Sequence, residues 1–260
     1  MSKILKQKRE KLIINFMKGK EGAFLENHAM LLDAYFQERF EKSRIGMALS
    51  MSKNPYAIVA LGGYGRKEQC VFSDVDILFL FGKKVPLEAE KLVQEIIYPL
   101  WDIGMDVGHC TRSISENLKL AREDFEVLTS LLDSRFICGM SNLYSELNNR
   151  IESKVIKTTK NKIISKLTKD MKARHAKMGD SSYLLEPNLK EGKGGLRDYH
   201  AMLWAARVIS DLKTPEDLVY GGFLSNEEYE NLSNALSFIF NVRNRLHNLT
   251  GRKCDQLYFE

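Results

Sequence analysis

The 260-residue chain is 44% hydrophobic and 28% charged, which is ordinary for a soluble globular protein with one large domain or two modest ones. Its net charge of +5 suits a polyanionic ligand such as a nucleoside triphosphate, but a mild basic excess does not by itself indicate nucleic-acid binding. The amino terminus lacks the apolar core of a signal peptide, and the longest apolar run, residues 77–81, is too short to cross a membrane.

The first third of the chain predicts helices followed by a sheet. Residues 1–45 are rich in Lys, Glu and Leu, and they predict helices with a break near residues 19–22. A short apolar strand is predicted at residues 56–61, and a Gly-Gly pair follows it. Residues 75–81 are apolar on both faces beyond their aspartate, which indicates a central strand.

The middle of the chain predicts a helix and two further strands. Residues 86–102 carry apolar side chains at helical spacing, and Pro99 should kink or end that helix. Residues 105–111 predict a third strand, and a capping box at residues 113–116 predicts the start of the next helix. Residues 135–138 predict one more short strand.

The rest of the chain predicts helices only. Residues 141–178 lack turn signals and predict one long charged helix, which a polar, glycine-bearing loop follows at residues 179–198. Later helices are predicted at residues 198–212, 215–220 and 226–249, the last starting at a capping box of residues 225–228. The change of character near Gly139 predicts three parts: a helical segment at 1–45, an α/β domain at 46–139 and an all-helical domain at 140–260.

Three aspartates form the first candidate site. Asp74 and Asp76 are two positions apart at the start of a strand, so their side chains share one face. Carboxylates so placed repel each other unless a cation lies between them or one is protonated. Asp106 starts the next strand, and three carboxylates converging from two strands can hold two Mg²⁺ ions against a nucleotide. Singly, each of these aspartates is more often a cap or a solvated turn residue.

Glycines and cations form the candidate phosphate contacts. Gly62 and Gly63 follow a strand and let the backbone approach phosphate oxygens, with Ser73 close to the aspartates. Neither a P-loop nor a dinucleotide-binding glycine motif is present. A second cradle is predicted before a helix, with the cations Lys190, Lys193 and Arg197. The alternative for this second segment is a solvated, mobile loop that leads into a helix capped by Asp198.

The remaining polar residues give no sign of direct catalysis. Arg243 and His247 share a face of the last predicted helix; a solvated face is favoured over direct catalysis, and a secondary role in binding phosphate or an acidic partner is the alternative. The five histidines are dispersed and form no metal-phosphohydrolase pattern. The four cysteines are also scattered, without a CxxC pair, which argues against a disulfide framework or zinc site and favours a reducing cytoplasm.

With these residues in hand, the chain resembles the amino-terminal part of the bacterial PII uridylyltransferases. The resemblance lies in four segments, in the order of that family: residues 59–80, 100–109, 185–198 and 242–260. The first segment marks only the nucleotidyltransferase superfamily, whereas the third and fourth together are much more specific.

The resemblance implies a polymerase-beta-like α/β nucleotidyltransferase domain with a mixed sheet, flanked by amino-terminal helices and followed by an all-helical domain. It implies metal ligation by Asp74 and Asp76, with Asp106 as the third carboxylate. It adds Arg66 to the predicted nucleotide contacts and implies that the loop at residues 190–198 faces the active site.

The reaction implied by the resemblance moves UMP from UTP to a tyrosine hydroxyl of the PII signalling protein and releases pyrophosphate. Members of the family continue with a His-Asp hydrolase domain and two ACT domains. We expect this chain, which stops where those domains would begin, to be an excised fragment or a short homologue without uridylyl removal or glutamine control.

Other functions remain open at this stage. Adenylyl transfer to another protein, or nucleotide transfer to a small molecule or an RNA 3′ end, would use the same chemistry. RNA is disfavoured because no aromatic and basic stripe is evident. A nucleotide-sensing module without turnover is the remaining alternative, and the intact trio of aspartates argues against it.

Overall fold

The computed structural model describes residues 2–51, 53–179 and 185–259. The chain divides into two units, residues 1–154 and residues 155–260. The first unit contains the amino-terminal helices and the sheet, and the second is helical. This division groups residues by their contacts in space and does not test the predicted boundaries near residues 45 and 139, which stay predictions.

The amino-terminal helices confirm the prediction for residues 1–45. Helix α1 spans Ser2–Met17, α2 spans Phe24–Lys42 and α3 spans Arg44–Met51. The predicted break lies between α1 and α2, where Gly19 has a φ of +69° that favours glycine. Phe16 of α1 and Phe24 of α2 have their rings 4.8 Å apart, so an apolar contact joins the two helices at the turn.

Within the described residues, four strands form one mixed sheet. The strands are β1 Tyr56–Ala60, β2 Val75–Phe81, β3 Val107–Ser113 and β4 Arg135–Gly139. Their order is β3-β2-β1-β4; β2 and β3 are parallel, whereas β1 is antiparallel to both of its neighbours. The prediction of a central strand at residues 75–81 is confirmed, since β2 has a neighbour on each side and is almost wholly buried.

Helices connect these strands and cover the sheet. They are α4 Gly62–Gly65, α5 Ala89–Trp101, α6 Ile114–Glu123 and α7 Phe125–Leu132. Helix α5 makes the crossover that a parallel β2–β3 pair requires. Pro99 lies in the last turn of α5, and the helix ends two residues later, at Trp101. The predicted end of the helix near Pro99 is therefore observed. The capping box predicted at residues 113–116 is confirmed at the start of α6.

The prediction of one helix over residues 141–178 is wrong. Helix α8 spans Ser141–Ile151, a π-helical segment spans Glu152–Ile156, and α9 spans Lys157–Met178. Thr159 has non-helical dihedral angles (φ −129°, ψ 18°). The hydroxyls of Thr158 and Thr159 both donate to the Val155 carbonyl oxygen, at 3.1 and 2.8 Å. Hydroxyls that bond a backbone carbonyl compete with the regular helix ladder, which explains the interruption.

The second unit confirms the three later helices. They are α10 Leu196–Ser210, α11 Asp217–Tyr220 and α12 Asn226–Thr250. The capping box predicted at residues 225–228 starts α12. Part of the predicted loop, residues 180–184, lies outside the described residues. Of the helices in the described ranges, none combines the length and apolar character needed to traverse a bilayer.

Candidate functional site

The glycine turn after β1 folds tightly beside a carboxylate. The chain leaves the extended Leu61 and enters α4 at Gly62, whose φ of +51° lies in the left-handed region. A Cβ at Gly62 would be 3.4 Å from Oδ2 of Asp76. A Cβ at Gly65 would collide with the backbone carbonyl of Asp133, so close backbone packing requires glycine there.

Asp76 is also bounded by a glycine of the neighbouring strand. In the β2–β3 register Asp76 is opposite Gly108. A Cβ at residue 108 would be 2.7 Å from Oδ1 of Asp76, which is closer than carbon and oxygen can pack. The Asp76 carboxylate therefore lies between two glycines, Gly62 and Gly108, and the missing side chains leave space around it.

The other predicted aspartates lie just outside the two parallel strands. Ser73 and Asp74 are half-buried in the segment that enters β2. Asp106 is exposed immediately before β3, and its carbonyl oxygen accepts a hydrogen bond from the Val75 amide at 2.9 Å. The side-chain Nε2 of the buried Gln69 donates to the carbonyl oxygens of Ser73 and Asp74 at 2.8 and 2.7 Å.

The carboxylate oxygens of Asp76 are ligands of the kind that a hard divalent cation such as Mg²⁺ prefers. In the part of the chain that the structure describes, no three or more Asp, Glu, His or Cys side chains are grouped so as to hold a metal ion. The trio of Asp74, Asp76 and Asp106 therefore stays a prediction. Mg²⁺ does not need such a group, because one or two carboxylates with phosphates and waters complete its shell. The space that Gly62 and Gly108 leave beside the Asp76 carboxylate suits that arrangement.

Arg66, predicted to contact nucleotide, lies between two carboxylates. Its guanidinium forms an ion pair with Glu68 at 2.6 Å and another with Asp133. Burial opposes the charge of Arg66, but the two carboxylates outweigh it and raise the pKa of the guanidinium. The contact with nucleotide stays a prediction; the observed contacts tie the end of the glycine turn to the end of α7.

A second arginine, which the sequence analysis did not single out, holds the same turn from β4. Arg135 binds both carboxylate oxygens of Asp33, at 2.7 and 3.0 Å. It also donates to the carbonyl oxygens of Tyr64 and Gly65, at 3.3 and 3.2 Å. The Tyr64 hydroxyl donates to Asp33 at 2.6 Å. Paired charges therefore fix the backbone of the turn, and bidentate geometry makes that support directional.

A pocket of about 380 Å³ opens beside Asp76, between β3 and the first turns of α7. The residues that matter for its chemistry are Asp76, Gly108, Cys110, Arg112, Glu126 and Ser130. The three from β3 alternate along the strand and so share the face that carries Asp76. Burial raises the pKa of the Cys110 thiol; Arg112 opposes the rise and Asp76 adds to it.

Arg112 is the residue that the sequence analysis missed at this pocket. Among the pocket residues that the structure describes, it is the one with a permanent positive charge. The sequence pattern that could have identified Arg112 is the alternation of residues 108, 110 and 112, which places a glycine, a small residue and a cation on one face of the strand.

The second predicted cradle is an ordered loop in the second unit. The side-chain Oδ1 of Asn188 accepts hydrogen bonds from the amides of Lys190 and Glu191, at 3.0 and 2.7 Å. A Cβ at Gly192 would be 2.6 Å from the Asn188 carbonyl oxygen. These contacts favour the ordered interpretation of residues 188–192 over a solvated, mobile one.

Acidic neighbours accompany the predicted cations of this loop. Arg197 forms an ion pair with Glu191 at 3.1 Å, and Lys190 lies 3.9 Å from the same carboxylate. Burial lowers the pKa of Lys190, as do Arg197 and Arg243, against the opposing effect of the nearby acids. Lys193 is exposed.

Asp198 is not the predicted cap of α10, whose N-cap is Gly195; it lies in the first turn of the helix and joins this loop to α9. Its carboxylate accepts from Arg174 at 2.5 Å, from the Gly194 amide at 2.7 Å and from His175 at 2.9 Å. Burial opposes ionisation of Asp198, but the Arg174, Gly194 and His175 hydrogen bonds outweigh it and lower the pKa of the carboxyl.

The interpretation of Arg243 and His247 as a solvated helix face is wrong. Arg243 is 5% exposed and His247 is 0% exposed. Both contact Asp255, at 2.7 and 3.4 Å. Burial opposes the charge of Asp255, but His247, Arg243 and Lys190 hold the pKa of that carboxyl well below its usual range.

The carboxyl-terminal segment thereby reaches back to the glycine loop. The Leu189 amide donates to the Asp255 carbonyl oxygen at 2.7 Å, and Asn188 bridges to Gln256 as a short antiparallel pair. No local sequence pattern predicts this contact, because residues 188 and 256 are far apart in the chain.

Part of the chain matches a known family of enzymes. Residues 162–260 match the family described as GlnD PII-uridylyltransferase. The chain is therefore homologous to uridylyltransferases, which are nucleotidyltransferases, and the predicted resemblance to part of the bacterial PII uridylyltransferases is confirmed.

The individual relatives agree with that class. The chain is 40% identical over 204 residues to the bifunctional uridylyltransferase/uridylyl-removing enzyme of Ruegeria pomeroyi. The same identity, over the same length, relates it to the enzyme of that name from Cereibacter sphaeroides. The matches cover 78% of this chain but 22% of each relative, so the chain spans about a fifth of their length.

Proposed function

We propose that this chain is an Mg²⁺-dependent nucleotidyltransferase that moves UMP from UTP to a tyrosine hydroxyl of the PII signalling protein. The observation that carries the proposal is the Asp76 carboxylate held between Gly62 and Gly108 beside an open pocket. The printed names of the two relatives support uridylyl transfer and make PII the first acceptor to test. The proposed fold type of the first unit is polymerase-beta-like, supported by its mixed four-stranded sheet within the described residues.

The proposed reaction exchanges one bond at the α-phosphorus of UTP. The phenolic oxygen forms a bond to that phosphorus, the bond to the oxygen bridging the β-phosphorus breaks, and pyrophosphate leaves. The phenolic proton is lost to a base, and Asp106, exposed at the entrance to β3, is our candidate to accept it or to complete the metal site. Such transfer depends mainly on positioning and on stabilising charge.

The residues proposed to hold metal are Asp74 and Asp76, with Asp106 as the predicted third ligand. Two Mg²⁺ ions there would neutralise phosphate charge and lower the pKa of the attacking hydroxyl. Without further protein ligands, phosphates of the nucleotide and waters would complete the metal shell.

The proposed phosphate contacts are of two kinds. Gly62 and Gly63 would offer backbone amides to the triphosphate, with Ser73 adding a hydroxyl. Arg112 would supply the positive charge inside the pocket beside Asp76. The further predicted contacts are Arg66, Lys190, Lys193 and Arg197. We place the reaction in the cytoplasm, where the thiols of the four cysteines, none of which forms a disulfide in the described residues, would stay reduced.

The test is nucleotidyl transfer with defined substrates. The chain is incubated with PII, Mg²⁺ and each of four nucleoside triphosphates labelled at the α-phosphate, and protein labelling and pyrophosphate release are measured. We expect labelling of PII from UTP, at a tyrosine that mass spectrometry can locate. Labelling from ATP alone would reject the uridylyl assignment, and UTP binding without pyrophosphate release would favour a sensing module.

A matched pair of variants tests the site itself. Asp76→Asn keeps the shape of the side chain but removes its charge, and we expect transfer to be abolished while the fold is kept. Asp102→Asn, at an exposed position after α5, is the control. Near-normal turnover by Asp76→Asn would remove the proposed mechanism.

A further inference from the structure

Helices α1 and α2 pack against the segment that enters β2. Val71, which is 2% exposed, forms an apolar cluster with Phe16 of α1 and Phe24 of α2. Phe72 packs against the same cluster. The helices therefore hold the chain a few residues before Asp74 and Asp76, although they lie far from those aspartates in sequence.

Polar contacts run through the same interface. Arg9 of α1 donates from Nε to Nε2 of His28 on α2 at 3.1 Å, and its guanidinium also donates to the Val71 carbonyl oxygen. Nδ1 of His28 lies 2.9 Å from the Gln69 carbonyl oxygen. Since Nε2 accepts from Arg9, Nδ1 must carry the ring proton and donate to Gln69. Burial and the charge of Arg9 lower the pKa of His28 to about 4, which keeps the ring neutral as this arrangement requires.

Gln69 carries the contact forward to the first candidate ligand. It is fully buried, and both protons of its Nε2 are used, on the carbonyl oxygens of Ser73 and Asp74. Its Oε1 is buried without a hydrogen-bond partner among the described residues. Leaving an acceptor so placed is costly, whereas the opposite amide orientation would set oxygen against two carbonyl oxygens. The side-chain orientation is thus determined by the two peptide groups it holds.

We propose that Arg9, His28 and Gln69 are positioning residues that fix the peptide of Asp74 so that its carboxylate binds divalent metal together with Asp76. This inference rests on the proposed function. Asp74 precedes β2, whose register with β3 begins at Val75, and the Gln69 amide holds the Asp74 carbonyl oxygen at 2.7 Å just before that register starts. Groups that orient a metal ligand without touching the metal affect affinity strongly, because small misplacements weaken coordination.

A purely structural role is the competing explanation, and it predicts different measurements. In that case, removing these contacts would lower the melting temperature and leave metal affinity unchanged. A positioning role requires that metal affinity and local order at residues 73–75 change together, in a protein that remains folded.

The experiment compares three variants of the chain with the wild type. Gln69→Leu removes the two hydrogen bonds that Nε2 donates, at similar side-chain volume. Arg9→Met removes the guanidinium that donates to His28, at a partly buried position on α1. Lys8→Met, at the exposed neighbouring position, is the matched control. The readouts are Mn²⁺ binding with UTP by electron paramagnetic resonance, amide hydrogen exchange at residues 73–75 without metal, and the melting temperature.

We expect Gln69→Leu to bind Mn²⁺ about tenfold more weakly and to exchange faster at residues 73–75. Arg9→Met should show the same two changes at smaller size, and Lys8→Met neither. If Gln69→Leu does not fold, Arg9→Met decides the question. Unchanged Mn²⁺ affinity in the folded variants overturns the positioning role alone. A wild-type chain that binds no Mn²⁺ with UTP overturns the proposed function and the positioning role with it.

Discussion

Two glycine-bearing loops of this protein were both predicted to contact phosphate. Cations are paired with acids at both, but a carboxylate lies beside open space at the first. At the turn of residues 62–66, Arg66 pairs with Asp133 and Arg135 donates to the Gly65 carbonyl oxygen, while the carboxylate of Asp76 lies beside open space. At the loop of residues 188–198, the predicted cations Lys190 and Arg197 have an acid within 4 Å.

The difference shows why a count of charges does not identify a binding site. An arginine that is paired with a buried carboxylate has already used its hydrogen-bond donors, so it fixes the local structure and does not bind a ligand. A site that binds metal and phosphate needs charge beside unfilled volume. Asp76 and Arg112, which line the same pocket, meet that condition in the first unit.

The first prediction tests whether the ion pairs of Asp255 stabilise the second loop, as the comparison of the two loops requires. Asp255→Asn leaves Arg243 buried beside a neutral side chain, and breaking such a pair should lower the free energy of unfolding by about 3 kcal/mol. Urea denaturation measures this. The control is Asp211→Asn, at an exposed position; equal effects of the two substitutions would show that Asp255 does not stabilise the loop.

Filling the space beside Asp76 tests the first loop. Gly108→Ala places a Cβ 2.7 Å from Oδ1 of Asp76 and must displace that carboxylate. We expect transfer to fall about 100-fold, because displacement of a catalytic group by about 1 Å has effects of that size. Steady-state kinetics with UTP measure it. Gly22→Ala, where a Cβ meets no neighbour, is the control, and an active Gly108→Ala would place the chemistry elsewhere.

Neutralising the pocket cation sharpens the same comparison. Arg112→Met should raise the KM for UTP about tenfold, the size expected for loss of one charge-assisted hydrogen bond. The exposed Lys119→Met serves as the control for net charge. A KM for UTP that is the same in Arg112→Met and Lys119→Met would remove Arg112 from the nucleotide contacts.

The smallest effect is on stability against pH at the helix contact. The pKa of His28 is lowered from 6.5 to about 4, so the unfolded chain binds a proton that the folded chain does not. Stability is therefore full above pH 6.5 and falls as the pH drops toward 4. Between pH 7 and 5.5 this residue should cost about 1 kcal/mol of unfolding free energy. His28→Gln should flatten that part of the curve; an unchanged slope would contradict the neutral ring.

Local patterns in the sequence were sufficient for most elements of the fold. The strands at residues 56–61, 75–81 and 135–138 and the capping box at 113–116 were predictable because alternation and capping act over a few residues. The interruption after α8 was not, since the threonine hydroxyls that compete there look like ordinary helix surface in a sequence.

At the candidate site the sequence by itself was enough to predict the candidates: spacing alone singled out the Gly-Gly turn and the aspartates 74 and 76. Tertiary structure alone decided which charges are available for binding. The glycine opposite Asp76, the pairing of Arg66 with Asp133 and the burial of Arg243 against Asp255 depend on residues distant in the chain. Electrostatic availability is set by neighbours in space and by burial, and no local pattern encodes either.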